Sequence, residues 1–268
     1  MPEITRRLAI IGAGAMGQAL ARGLITAHVY APQDIVAADI DKERLRVFAG
    51  ATGVESAGSV EAASKCGIII LAVKPGVMPK VLDEISSYVT PEQLVISIAA
   101  GVETAQVESK LRSGVPVVRA MPNTPCAVMA GAVAISRGKN ASDANIERAE
   151  SIFGAVGKVI EVPERLMDAV TGLSGSGPAY VYVFIETLAD AGVRAGLTRQ
   201  QAAVLAAQTV FGAAKMVIDS GKHPAQLRDA VASPGGTTIA GIAALERAAF
   251  RAAVYDAVEA SVERSRSS

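Results

Sequence analysis

Leu8-Ala9-Ile10-Ile11-Gly12-Ala13-Gly14-Ala15-Met16-Gly17 puts a G-x-G-x-x-G spacing directly after an apolar run and at the head of a helical pattern. Gly12 permits a tight turn, Gly14 lets the backbone approach a pyrophosphate, and Gly17 lets helix and strand pack closely. Ala13, Ala15 and Met16 complete the loop. The spacing alone is a weak signal. A strand before it, a helix after it and an acid, Asp39, at the end of the next strand pattern make it a dinucleotide-binding turn. Asp39 is placed to accept hydrogen bonds from ribose hydroxyls, which favours NADH, and its charge repels a 2′-phosphate. Lys42, Arg44 and Arg46 follow closely and can form a basic rim for that phosphate, so NADPH stays open. Asp39 and Asp41 also read as N-caps of the next helix.

Outward from this turn, short β-branched runs alternate with helical patterns. The expected strands are 8–11, 35–39, a short one near Val54, 68–73, 94–98, 117–121, 132–136 and 158–162. Helical stretches are expected at 16–27, 42–48, 77–88 and 103–111. The strands are continuous apolar runs, as strands buried on both faces are. This is an α/β pattern: a parallel, Rossmann-like sheet with helices on both sides. Near Pro163 the strand signals stop. Residues 166–191, 199–220 and 238–264 are expected as long Ala-rich helices, with Gly221 a C-terminal stop. The expected domains are 1–163, dinucleotide-binding, and 164–268, helical. Alanine buries little area, so a few such helices make a thin core, and a second copy is expected to complete it.

The chain has 268 residues, half of them apolar, and a formal net charge of zero. It carries no electrostatic footprint for nucleic acid or for an anionic membrane. Cys66 and Cys126 form no CxxC pattern, so neither a disulfide framework nor a metal site is expected. No signal peptide is read at the N-terminus, and no uninterrupted apolar run approaches the roughly 20 residues of a membrane span. A soluble, cytoplasmic protein is expected.

Ligands of open α/β sheets bind beyond the strand carboxyl ends. Ala72-Val73-Lys74-Pro75, Ala99-Ala100-Gly101 and Met121-Pro122-Asn123 lie there, and their small residues and prolines suit a rigid wall for a nicotinamide. Lys74 reads equally as a phosphate contact or a rim residue, and Asn123 as a cofactor contact or a turn brace. Ser174 and Ser176 read as nicotinamide contacts or helix caps. Near the far end, Ser233-Pro234-Gly235-Gly236-Thr237-Thr238 joins two helical patterns. Pro fixes one φ and the glycines free the next, so several N–H groups can converge on a small anion such as a carboxylate. A plain helix–helix turn with a Thr N-cap is the alternative. His28 and His223 are the only histidines, and His223 reads as a turn or cap residue rather than a proton donor.

With these pieces together, the chain resembles the pyrroline-5-carboxylate reductase family. The resemblance is carried by the Gly12–Gly17 loop, Ala72-Val73-Lys74-Pro75, Arg119-Ala120-Met121-Pro122-Asn123-Thr124-Pro125, Thr171-Gly172-Leu173-Ser174-Gly175-Ser176-Gly177-Pro178-Ala179-Tyr180 and the Ser233-to-Thr238 stretch. It implies a Rossmann domain followed by a helical domain, an interwoven homodimer and often a pentamer of dimers. It also implies that Ser233, Gly235, Gly236, Thr237 and Thr238 hold the carboxylate of pyrroline-5-carboxylate, with Thr238 at the ring nitrogen as the catalytic residue. The family often carries Ser, Thr or Asn with basic residues after its second strand, which suits NADPH; Asp39 departs from that pattern.

No acid/base dyad is evident. A protonated imine already carries its activation, so a hydroxyl or a water suffices where a carbonyl would call for an acid. Two other readings remain. A β-hydroxyacid-type dehydrogenase would lean on a helical lysine such as Lys215, and a nucleotide-sensing module would use residues 233–238 only as a turn.

Overall fold

The computed structural model describes residues 7–267. They form two compact units: one running up to Ser176 and including the tail from Ser261, the other Gly177–Ala260.

The first unit is built on strands β1 (Leu8–Ile11), β2 (Ile35–Ala38), β3 (Glu55–Ser56), β4 (Ile68–Leu71), β5 (Leu94–Ser97), β6 (Val117–Met121), β7 (Gly131–Arg137) and β8 (Gly157–Glu161). They form one sheet in the order β3-β2-β1-β4-β5-β6-β7-β8. Helices α1 (Ala15–Thr26), α2 (Lys42–Thr52), α3 (Ser59–Lys65), α4 (Met78–Ile85), α5 (Thr104–Lys110) and α6 (Asp143–Gly154) cover it. Side chains alternate across each strand, so Leu8 and Ile10 pack with Leu20, Leu24, Phe48 and Phe153 on one face. Ala9 and Ile11 pack with Met78, Val81, Leu82 and Ile85 on the other. That α4 set follows the i, i+3, i+4, i+7 stripe of a core-facing helix.

Strand β7 corrects the expectation of a parallel sheet. It runs antiparallel to β6, with Arg119 opposite Ser136 and Met121 opposite Ala134. The connection between them, 122–130, holds only the 3-10 turn Thr124–Val128. It is too short for the crossover that a parallel return needs, and the strand comes back the other way. α6 then supplies a crossover, and β8 lies parallel to β7. α3 and α6 were not expected; α6 announces itself only by the capping box of Ser142 with Asn145.

The expected helix 166–191 is divided. A 3-10 turn, Glu164–Leu166, leads to α7 (Met167–Val170), a π-helical turn (Thr171–Gly175) and then α8 (Gly177–Arg194). α9 (Arg199–Ser220) lies as expected, opened by a Thr198–Gln201 capping box and closed by Gly221 at φ 63°. The short α10 (Pro224–Ala230) was not expected. The expected helix 238–264 is two, α11 (Thr237–Arg247) and α12 (Phe250–Arg266), parted where Ala249 takes φ 54°. By length and composition α9 could cross a membrane, which the run-based expectation missed; one such helix occurs among the described residues.

The second unit has a small core. Ala189, Ala202 and Ala206 are its buried apolar residues, with Ile185 and Val193 packed on them. Gly192 lets α8 and α9 close up, since a Cβ there would lie 3.1 Å from that of Ala202. Large apolar side chains stay exposed along the same helices, among them Tyr182, Leu205, Phe211, Met216 and Ile218.

Candidate functional site

The turn after β1 is shaped by two glycines that admit no side chain. Gly12 sits at φ 117°, and a Cβ there would overlap the carbonyl of Ala72, at the end of β4. A Cβ on Gly17 would overlap the carbonyl of Gly12. Gly14 is the N-cap of α1 and faces open space. No side chain caps this end of α1 and no acid lies in its first turn, so its leading amides face outward unneutralised. Gln18 steadies the loop, its Nε2 donating to the Ala13 carbonyl at 2.9 Å. This cradle fits a pyrophosphate: the donors are backbone amides, and the gap at Gly14 is one that a Cβ would narrow.

Asp39 is brought to this loop, but not with a free carboxylate. Its Oδ2 accepts the Ala13 N–H at 2.7 Å and its Oδ1 accepts the Asp41 N–H at 2.8 Å. The side chain is 7% exposed, with Arg44 Nη1 3.7 Å away. Of the two N-cap candidates Asp41 is the cap, accepting the Arg44 N–H at 3.0 Å. That backbone hydrogen bond, helped by the Arg44 charge, holds the Asp41 carboxyl below its usual range. Arg46 is paired with Glu43, and Arg44 with Asp41 at 3.0 Å. Both arginines of the expected basic rim therefore already carry an acidic partner.

The loop after β4 stands beside the Gly12 turn, and the loop after β5 lies next to it. Ala72 and Val73 are half-buried, whereas Lys74 and Pro75 are exposed. A cavity of about 480 Å³ opens between these loops, lined by Pro75, Met78, Leu82, Gly101 and Val102 among others. After β6, Met121 is half-buried, and Pro122 and Asn123 are buried. Both ends of the Asn123 amide are in use. Oδ1 accepts the Ala132 N–H and Nδ2 donates to the Ser174 carbonyl, each at 3.0 Å. Asn123 is therefore a brace between loops in this structure. Ser174 donates to the Val170 carbonyl within the π-helical turn, and Ser176 pairs with Ser261 at 2.8 Å.

In the second unit, Ser233 to Gly236 closes a turn in which the Gly236 N–H donates to the Ser233 carbonyl at 3.1 Å and Gly235 takes φ 67°. Gly236, not a threonine, is the N-cap of α11; a Cβ there would overlap Ser233 Oγ. Thr237 and Thr238 are the first residues of that eleven-residue helix. The expected clamp of four amides loses Gly236 to the turn itself. The N–H groups of Gly235, Thr237 and Thr238 remain, two of them at the positive end of a helix.

Residues 164–268 match the family model for pyrroline-5-carboxylate reductase dimerisation, and residues 7–101 match one for coenzyme F420-dependent NADP oxidoreductases. A pyrroline-5-carboxylate reductase of Methanosarcina acetivorans is 46% identical over 97% of both chains, and one of Synechocystis is equally similar over the same shares. Among solved structures, a pyrroline-5-carboxylate reductase of Coxiella burnetii superposes with a TM-score of 0.91 at 37% identity, covering 98% of each chain. The chain belongs to the pyrroline-5-carboxylate reductase family. It is an oxidoreductase that self-associates and acts on a small molecule.

Seen as a member of that family, its other candidate groups become ordinary. His223 caps α10, its Nδ1 accepting the Ala225 N–H at 3.2 Å. Lys215 pairs with Asp219 one turn on, and Asp190 pairs with Arg199. Tyr180 donates to the Ala257 carbonyl, and Tyr182 is exposed. Cys66 and Cys126 are buried free thiols; burial pushes Cys66 up to about 11. One polar cluster escaped sequence reading altogether. Glu164 takes the N–H and the hydroxyl of Thr104 at 2.7 and 2.6 Å and meets the buried Arg119 at 3.4 Å. No local pattern links positions 104, 119 and 164.

Proposed function

We propose that this protein reduces 1-pyrroline-5-carboxylate to L-proline with NADPH or NADH, the last step of proline biosynthesis. It is a pyrroline-5-carboxylate reductase, an oxidoreductase acting on a C=N bond. The supporting observation is the turn from Ser233 to Gly236, which leaves the amides of Gly235, Thr237 and Thr238 to a ligand at the head of α11, in a chain similar over 97% of its length to a reductase of this substrate. NAD(P)H, when bound, would supply a hydride. The Gly12 loop with Ala13, Gly14, Ala15, Met16 and Gly17 would cradle its pyrophosphate, and Ala72 to Pro75 and Met121 to Asn123 would wall its nicotinamide. Asp39 acts by bracing Ala13, and Arg44, 3.7 Å from Asp39, would meet a 2′-phosphate by leaving its acidic partners.

Gly235, Thr237 and Thr238 hold the substrate carboxylate through their N–H groups, and Ser233 keeps the turn closed. The protonated imine nitrogen already carries the proton that the product amine keeps. Thr238 Oγ1 accepts a hydrogen bond from that N–H and fixes the ring face, which is catalysis by positioning. Residues 1–163 form the cofactor domain, and residues 164–268 the substrate and dimerisation domain. The protein works in the cytoplasm as a homodimer, assembled further as a pentamer of dimers.

The test is steady-state turnover by purified protein with the imine and each nicotinamide cofactor. Oxidation of NADPH or NADH that depends on pyrroline-5-carboxylate and yields proline is expected. Cofactor binding without imine-dependent oxidation would leave a nucleotide-binding module instead.

A further inference from the structure

We propose that Glu164 is a positioning residue for the reduction: it locks the loops after β5 and β6 in the arrangement that seats a nicotinamide ring. This rests on the reading above that those loops wall the nicotinamide.

Glu164 opens the 3-10 turn that follows β8. Its Oε1 accepts the N–H of Thr104 at 2.7 Å, and its Oε2 accepts the Thr104 hydroxyl at 2.6 Å. Thr104 is the first residue of α5 and ends the loop that carries Gly101. Oε1 also lies 3.4 Å from Nη1 of Arg119, on β6 two residues ahead of Met121. The Arg119 side chain is 7% exposed, and its register neighbours Ser97 and Ser136 are buried. One carboxylate thus grips a backbone amide and a hydroxyl at the start of α5 and a buried guanidinium on β6, the elements that border the two loops.

Packing alone does not call for such a group. Arg119 is buried but Glu164 is 27% exposed, and an ion pair open to solvent adds little stability, so what the carboxylate contributes is geometry. The place also matters, because both gripped elements border the carboxyl ends of central strands, where ligands of open sheets bind. A second brace repeats the design: Asn123, just past β6, holds the carbonyl of Ser174. The segment from Glu164 to Gly175 is therefore fastened near both its ends to these loops. A small shift of the loops would move the nicotinamide off line, and an error of about 1 Å in a reacting pair costs on the order of a hundredfold in rate.

The test uses the full chain and nucleotides with and without the ring: NADPH against 2′-phospho-ADP-ribose, and NADH against ADP-ribose. In Glu164→Ala, affinity for the ringed nucleotides should fall about tenfold and kcat about ten- to a hundredfold, while the ringless ones bind within about twofold of wild type. Glu164→Gln still accepts the Thr104 N–H and should restore most of the difference. Thr104→Val removes only the hydroxyl; it should move the same ratio the same way by a smaller factor, and it decides the matter if Glu164→Ala does not fold. Equal weakening of ringed and ringless nucleotides overturns the proposal. So does a lower melting temperature with the ratio and kcat unchanged. Wild-type protein that binds neither NADPH nor NADH would sink the cofactor reading beneath it, a failure visible without any variant.

Discussion

The two units differ in how they solve the same packing problem. The sheet unit buries large aliphatic and aromatic side chains on both faces, Phe48, Phe153, Leu8 and Ile70 among them, almost without exposure. The helical unit buries three alanines and leaves Phe211 61% and Ile218 78% exposed. At about 25 cal/mol per Å² of apolar surface removed from water, the first core is ample for an independent domain and the second is not. The lesson is a division of labour. One unit folds on its own terms and can spare its loop amides for a ligand, while the other leaves apolar surface that self-association can cover.

That contrast can be broken most severely from the helical side. Phe211→Glu puts a charge among the exposed apolar side chains of the dimerisation domain, so sedimentation should show monomers and turnover should fall on the order of a thousandfold. Nucleotide affinity should hardly change, because the sheet unit stands alone. Monomers with full activity would erase the distinction. The reciprocal change is Gly12→Ala, where φ 117° and the Ala72 carbonyl forbid a Cβ. About a hundredfold loss of cofactor affinity is expected, on the scale of 1–3 kcal/mol of backbone strain, with the oligomer intact. Thr238→Val should lower kcat/KM about tenfold or more, the scale of one transition-state hydrogen bond, and leave nucleotide binding alone. Asp39→Ala should weaken NADH and NADPH alike by a few-fold, about one lost hydrogen bond to Ala13. A selective gain for NADPH would instead return Asp39 to the ribose.

Much of the sheet unit is legible because its signals are local. An apolar run, three glycines and a helical stripe suffice to place β1, the loop and α1. The direction of β7 is not local; it depends on the brevity of 122–130, which no residue pattern announces. Asp39 was legible as an acid at the right place, but its partners are backbone amides that appear only once the chain is folded. The Glu164 cluster joins residues 60 apart in sequence and leaves no trace along the chain. In the helical unit, α9 is plain from its Ala-rich run and Gly221, whereas the break at Ala249 falls beside another alanine and carries no Gly or Pro to mark it. The turn from Ser233 to Gly236 is legible from its proline and glycines, yet the loss of the Gly236 amide to the Ser233 carbonyl is visible only in three dimensions.

The two borders of the sheet carry a consequence of their own. An unpaired border strand offers a row of open backbone groups to any stray chain, the usual route to aggregation. One border is β3, only two residues long and so a poor template. The other, β8, bears Lys158 and Glu161, with Glu161 clasped by Arg137 and Pro163 close behind. A protein that self-associates thus offers little open strand border for stray pairing.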